Sequence, residues 1–213
     1  MKKIIIAIMA FSMPIFINAQ SSGLFSKKKI KTEQDITAYL AGAVPTENEK
    51  VVFDATIDAP GKSKADIMTL MTAWANLRFT ANNARGEWTD KDFFKNNEYA
   101  QISSVDKSSC SIVCRGAEDM IFSNKALAKD YTEIYYRLDL TAKDGSISFK
   151  MSNIAYVYVG GSDAPQRVTA EEWITDAEAI NKKGELRRIS GKFRVKTIDL
   201  KNELIRELSE AVK

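Results

Sequence analysis

The sequence predicts an α+β domain in which one antiparallel sheet packs its helices on a single face. Three observations carry that reading. Strand-like runs follow one another from Glu98 to Ser152 with no helical pattern between them. A helical stripe of Ile67, Leu70, Met71, Trp74 and Leu77 precedes them. A second stripe, Leu200, Leu204, Ile205, Leu208 and Val212, lies at the C-terminal end.

In chain order, Thr32-Glu33-Gln34-Asp35 has the form of a capping box and opens a short helix through Ile36, Tyr39 and Leu40 that stops near Gly42. Val51 to Ile57 alternates as the first strand, with Val51, Phe53, Ala55 and Ile57 on one face, and Pro60-Gly61 ends it. Ser63 with Asp66 caps the first long helix, whose large apolar side chains are each worth roughly 1.5 to 3 kcal/mol when buried. Thr80 to Asn97 is irregular and long for a connection inside one domain. Four strands follow: Glu98 to Asp106, Cys110 to Phe122 with Gly116 as a candidate break, Asp130 to Ala142, and Ile147 to Ser152. In the third of these, Ile134, Tyr136, Leu138 and Leu140 share one face and Glu133, Tyr135, Arg137 and Asp139 the other, the pattern of a sheet wet on one side. Asp144-Gly145 is a hairpin turn, after which Ile147, Phe149 and Met151 face inward and Ser148, Lys150 and Ser152 outward. The run Gly160-Gly161-Ser162-Asp163-Ala164-Pro165 breaks the sheet. Thr169 and Glu172 then cap a helix carrying Trp173, Ile174, Ala177 and Ile180, and the last helix starts between Gly191 and Asp199. The order is strand, helix, four strands, helix.

Composition narrows the chemistry. The 213 residues are 45% hydrophobic and 28% charged, which suits a folded chain, and they contain no histidine, which excludes a His-based triad, a His-ligated metal and an imidazole acid or base. Lys2-Lys3, the apolar stretch Ile4 to Ile17 and Asn18-Ala19 have the order of a secretory leader cleaved after Ala19. Residues 1–19 are therefore read as a signal peptide, 20–31 as a flexible tether and 32–213 as a single domain. The apolar stretch is shorter than the ~20 residues of a membrane span, so no membrane insertion is expected after cleavage. Removing Lys2 and Lys3 lowers the formal charge from +3 to +1, a poor basis for nucleic-acid binding. The only cysteines, Cys110 and Cys114, are read as two small buried side chains on one strand, roughly 13 Å apart and too far to form a disulfide.

Candidate binding residues fall in three places. Tyr135 shares the outer sheet face with Arg137 and Lys150, and Tyr and Arg are enriched at interfaces and stack on sugars. Trp88, Phe93 and Phe94 lie in the long connection, where binding tends to concentrate. Arg187 and Arg188 belong to a basic run with Lys182, Lys183, Lys192, Arg194 and Lys196, read as a solvated connection or an anion site. The adjacent acids Glu118/Asp119 and Glu171/Glu172 raise a carbohydrate-acting hydrolase as the alternative. Neighbours on a strand or helix point apart, so neither pair converges. No Gly-rich phosphate loop, serine elbow or metal signature is present, and neither a catalytic set nor a cofactor is expected.

Several ordered segments resemble an exported bacterial family of unknown function with a TBP-like fold. These are Tyr39-Leu40-Ala41-Gly42-Ala43-Val44-Pro45, Val51-Val52-Phe53, Ala59-Pro60-Gly61-Lys62-Ser63-Lys64, Trp74 and Arg78-Phe79. Lys143-Asp144-Gly145, Ile154-Ala155-Tyr156, Gly191-Lys192-Phe193-Arg194 and Thr197-Ile198-Asp199 continue the pattern, so the resemblance spans roughly residues 39 to 213. It implies a fold and export, and brings no activity or catalytic residue with it. The expected partner is a protein or an envelope glycan, met through the outer sheet face or the 80–97 connection. Intact-mass measurement of protein recovered from the cells that make it is expected to give an N-terminus at Gln20; retention of residues 1–19 would refute the leader.

Overall fold

The structure, a computed structural model, describes residues 36–79, 101–125, 128–158 and 166–213, with side chains except at 123–125 and 128–130. The leader, the tether, the capping box at Thr32, the 80–97 connection with Trp88, Phe93 and Phe94, and the breaker at Gly160 lie outside the described residues.

A small hairpin comes first, β1 (Thr46–Glu47) and β2 (Lys50–Val51), turned by Asn48 and Glu49 with both φ values positive. β3 (Phe53–Asp58) buries Phe53 and Ile57 and exposes Asp54, Thr56 and Asp58. Helix α1 (Lys64–Arg78) follows, with the Ser63 hydroxyl accepting from Asp66 N at 3.2 Å. The meander is β4 (Gln101–Asp106), β5 (Ser111–Lys125), β6 (Ala128–Lys143) and β7 (Ser146–Tyr158), and β8 (Gln166–Thr169) adds a strand that the sequence pattern does not show. The sheet is antiparallel in the order β3-β7-β6-β5-β4, with β8 paired to the second half of β7. Two single-turn helices, α2 (Ala170–Trp173) and α3 (Asp176–Ala179), lead to α4 (Ser190–Ala211).

Both long helices pack on one side of the sheet, so the predicted one-faced α+β layout holds. The core beneath them joins Ile67, Met71 and Trp74 of α1 and Leu200, Leu204 and Leu208 of α4 to Phe53, Ile112, Leu138, Leu140, Phe149 and Met151 of the sheet. Gly116 does not break β5. The Tyr136 ring lies over it, and a Cβ there would sit 2.0 Å from Tyr136 Cζ, so the glycine makes room for the tyrosine opposite.

Three local expectations change, and β7 carries a bulge that the sequence reading does not address. Leu77 is 72% exposed, off the buried stripe. Ten residues at 100° each fall about 80° short of a whole number of turns, and the inward place goes to Arg78. Cys110 sits in the β4–β5 turn with φ 53, ahead of the strand, while Cys114 is buried and burial, followed by the Asp139 charge, pushes its thiol up to about 12. The helix expected through Trp173 and Ile180 is split at Thr175. In β7 the alternation slips at Asn153, φ 52, so that Ile154, Tyr156 and Tyr158 replace the odd positions on the helix side.

One buried cation explains the split helix. Arg194 of α4 is fully buried, and its guanidinium donates to Tyr39 O at 2.6 Å, Leu40 O at 2.5 Å, Ile174 O at 2.7 Å and Asp176 Oδ1 at 2.7 Å. The Ile174 carbonyl would accept from Glu178 N in a continuous helix, but Glu178 N turns to Thr175 O and Arg194 takes the carbonyl. The same side chain straps residues 39–40 to α4, where Tyr39 also donates to Asp199 Oδ1 at 2.5 Å. Arg194→Met removes every one of those donors and is expected to destabilise the chain by about 3 to 5 kcal/mol in a denaturant titration. A loss below about 1 kcal/mol would show that the strap does not depend on it.

Candidate binding surface

The side of the sheet away from the helices is built in rows, because the antiparallel registers place outward residues directly opposite one another. One row runs Thr56, Ser148, Thr141, Ser111 and Asp106 from β3 to β4. The next is Asp54, Lys150, Asp139, Val113 and Ser104. A third holds Ser152, Arg137, Arg115 and Gln101. All of these side chains are exposed or half-buried. Beyond the third row the face closes: Ala117, Ala155 and Val157 are buried and Glu133 is only 4% exposed. The outer face is therefore open over the half nearer the Asp144-Gly145 turn, a correction to the reading of a face open throughout.

Tyr135, Arg137 and Lys150 do share this face, with different surroundings. Tyr135 stands at the boundary and its hydroxyl donates to Glu133 Oε2 at 2.6 Å. Arg137 donates to both oxygens of Asp139, at 2.8 and 2.7 Å, and this hydrogen bonding raises its pKa despite slight burial. Lys150 donates to Glu47 Oε2 at 3.1 Å, reaching the small hairpin, and lies 4.0 Å from Asp54 Oδ1. The hydrogen bond to Glu47, then the Asp54 charge, hold it above the usual lysine range. The three residues therefore form no free cationic and aromatic patch.

The basic run is dispersed. Arg194 is the buried clasp, and Arg187 donates to Ile180 O at 3.2 Å and Ala177 O at 3.1 Å, closing the end of α3. Arg188 is exposed, and Lys192 lies over the Phe122 ring at 5.7 Å. The adjacent acids also separate. Glu118 faces the helices and accepts from Arg78 Nη2 at 2.6 Å and from the Tyr136 hydroxyl, whereas Asp119 lies on the outer face opposite Glu133. Glu171 accepts from Val51 N at 2.9 Å, and Glu172 accepts from Thr169 N at 2.7 Å as a capping residue. The sequence reading missed the polar cluster around Glu118. Burial works against the Arg78 cation, yet Glu118, the Tyr136 hydroxyl and Glu207 together raise its pKa above the ordinary range. Burial, then the Glu118 charge, raise the Tyr136 phenol well above its usual value.

Beside this cluster, a cleft of about 160 Å³ is lined by Glu118, Met120, Ile134, Lys196, Asp199 and Glu203. Of the four carboxylates that line it, Asp119 being the fourth, Glu118 is held by Arg78 and Tyr136 and Asp199 by Tyr39. Among the described residues no group of three or more His, Cys, Asp or Glu could hold a metal ion, and no helix is long and apolar enough to cross a membrane.

A family model described as a domain of unknown function (DUF4468) with TBP-like fold matches residues 53–157, which run from β3 to the end of β7. A solved DUF4468 family protein from Bacteroides ovatus is 32% identical, with 83% of this chain and 94% of that one covered at a TM-score of 0.69. The chain belongs to the DUF4468 family. A TBP-like protein from Parabacteroides distasonis, 20% identical over 79% of this chain and 96% of its own, has a TM-score of 0.59 and shares the fold. No curated protein matches the chain. The family has no assigned activity, and a TBP-like outline names a shape on which different functions are built.

The open half of the face tolerates change. Exposed ion pairs contribute little, so Arg137→Gln and Lys150→Gln are each expected to leave thermal and denaturant melts nearly unchanged. Tyr135→Phe takes a donor from the nearly buried Glu133 and is expected to cost about 1 to 3 kcal/mol. Equal effects at all three positions would refute the boundary drawn at Tyr135.

Proposed function

We propose that this DUF4468 protein is an exported, non-enzymatic binding domain that holds a protein or cell-envelope component against the open half of its sheet. The observation that carries the reading is one-sided packing: α1 and α4 lie on one side, while three rows of side chains, all polar but Val113, span the strands of the meander and meet solvent on the other. Held in register by the sheet and mostly polar, such a surface can hold a ligand without rearrangement. The two acid pairs that suggested a hydrolase each serve a structural partner, which favours binding over bond cleavage. Export rests on the charged, apolar and small-residue order of residues 1–19.

The test is sedimentation of the purified chain, beginning at Gln20, with envelope fragments from the cells that make it. Ser148→Arg plants a bulky side chain in the middle of the open rows and is expected to reduce the sedimented fraction at least tenfold without lowering the melting temperature. Glu210→Arg, on an exposed part of α4, is the control and is expected to leave it unchanged. Equal sedimentation of Ser148→Arg and the unaltered chain would sink the surface assignment.

A further inference from the structure

The open rows separate two kinds of polar group. Their central charges are neutralised within the face: Arg137 by Asp139, and Lys150 by Glu47 and Asp54. Arg115, in the third row, is not free either. The outermost row carries one charge of each sign, Asp58 and Lys143, on either side of Ser146. The hydroxyls behave differently. Thr56, Thr141, Ser146, Ser148 and Ser152 are exposed or half-buried, and none of their hydroxyls bonds to another described residue. Thr56, Ser148 and Thr141 stand side by side on β3, β7 and β6, about 4.8 Å apart from strand to strand. Ser146 and Ser152 extend the set along β7, two residues beyond Ser148 and four residues beyond it in the other direction.

We infer that the ligand of this face is an uncharged polysaccharide chain laid across β3, β7 and β6, an assignment that rests on the binding reading above. Its hydrogen-bonding capacity lies in groups that both donate and accept, which is the complement of a polyhydroxylated chain. An anionic or cationic polymer draws its affinity from unpaired charge of the opposite sign, and the central rows supply almost none. The strand spacing is also of the order of the length of one hexose residue in an extended glycan, so successive sugars meet successive hydroxyls.

Affinity electrophoresis tests this with the neutral polysaccharide fraction, freed of protein, from the envelope of the producing cells, with heparin as the anionic comparison. The chain is expected to be retarded by the neutral fraction and to pass through heparin unchanged. Thr56→Val with Thr141→Val and Ser148→Ala is expected to weaken retardation at least tenfold with no fall in melting temperature. Ser148→Ala alone is expected to weaken it measurably, and Glu210→Arg, on an exposed part of α4 away from this face, to retain it. No retardation by the neutral fraction, or full retardation of the hydroxyl variants, overturns the inference. The sedimentation assay separates the two claims. If Ser148→Arg abolishes sedimentation, and protease treatment of the fragments abolishes it while periodate oxidation of their glycans does not, the glycan assignment fails and the surface stands. If Ser148→Arg has no effect, both fail.

Discussion

One extra residue in β7 decides which side of the sheet each half of that strand serves. With strict alternation, Ile147, Phe149 and Met151 would be followed on the helix side by Asn153, Ala155 and Val157, and Ile154, Tyr156 and Tyr158 would face away. Asn153, in a left-handed conformation that asparagine tolerates better than most residues, absorbs the extra position and reverses the phase. Tyr156 and Tyr158 thereby come under α4, where Phe193 packs against both rings at 5.1 and 5.3 Å and also against Phe122 and Trp173. The Tyr156 hydroxyl meets Thr197 Oγ1 at 2.7 Å, so the helix is located by a buried hydrogen bond as well as by apolar contact. On the opposite side the reversal leaves only the small side chains Ala155 and Val157, and there the outer face closes.

The residues that carry the family resemblance meet in pairs that are remote in sequence. Lys62 O accepts from Gly145 N at 3.0 Å, and Asp144 Oδ1 accepts from Lys64 N at 2.7 Å, so the Pro60-Gly61 turn and the Asp144-Gly145 turn dock on each other. Arg194 joins the segment at Tyr39 to the one at Gly191. Trp74 and Phe79 meet edge to face at 5.6 Å, and Phe79 reaches Tyr136 at 6.4 Å. A buried guanidinium without partners would be costly, and Arg194 is tolerated because its donors reach carbonyls and one carboxylate in the fixed fork geometry that arginine presents. Short motifs with no catalytic content are what such tertiary joints require.

Much of this was legible because it is local. The Asp144-Gly145 turn determines the β6–β7 register, and with it the opposition of Thr141 to Ser148 and of Asp139 to Lys150. Capping residues at Ser63 and Thr169 announce helix starts through contacts three residues apart. The illegible features depend on distant partners. Nothing near Ile174 shows that Arg194, 20 residues on, will take its carbonyl and divide the helix. Lys150 is neutralised by Glu47, 103 residues away, on a hairpin too short to give a strand signal. Period two assigned Tyr135, Arg137 and Lys150 to one face correctly, but it could not show that the first stands at a buried margin and the other two are already paired. The hydroxyl row was present in the pattern and carried no sequence signal, because serine and threonine on a wet sheet face look like filler until the pairing of their charged neighbours is known.

That pairing is also why the fold's name is a poor guide to its use. Binding to a phosphate backbone depends on cations free to displace counterions. Here Arg137 and Lys150 of the outer face are matched to carboxylates, Arg187 closes a helical turn and Arg194 is sealed in the core. What the face offers instead is an array of hydroxyls held in register by the sheet, weak one at a time and directional together. Affinity on such a surface must come from many aligned contacts, which favours a repeating ligand over a single compact one.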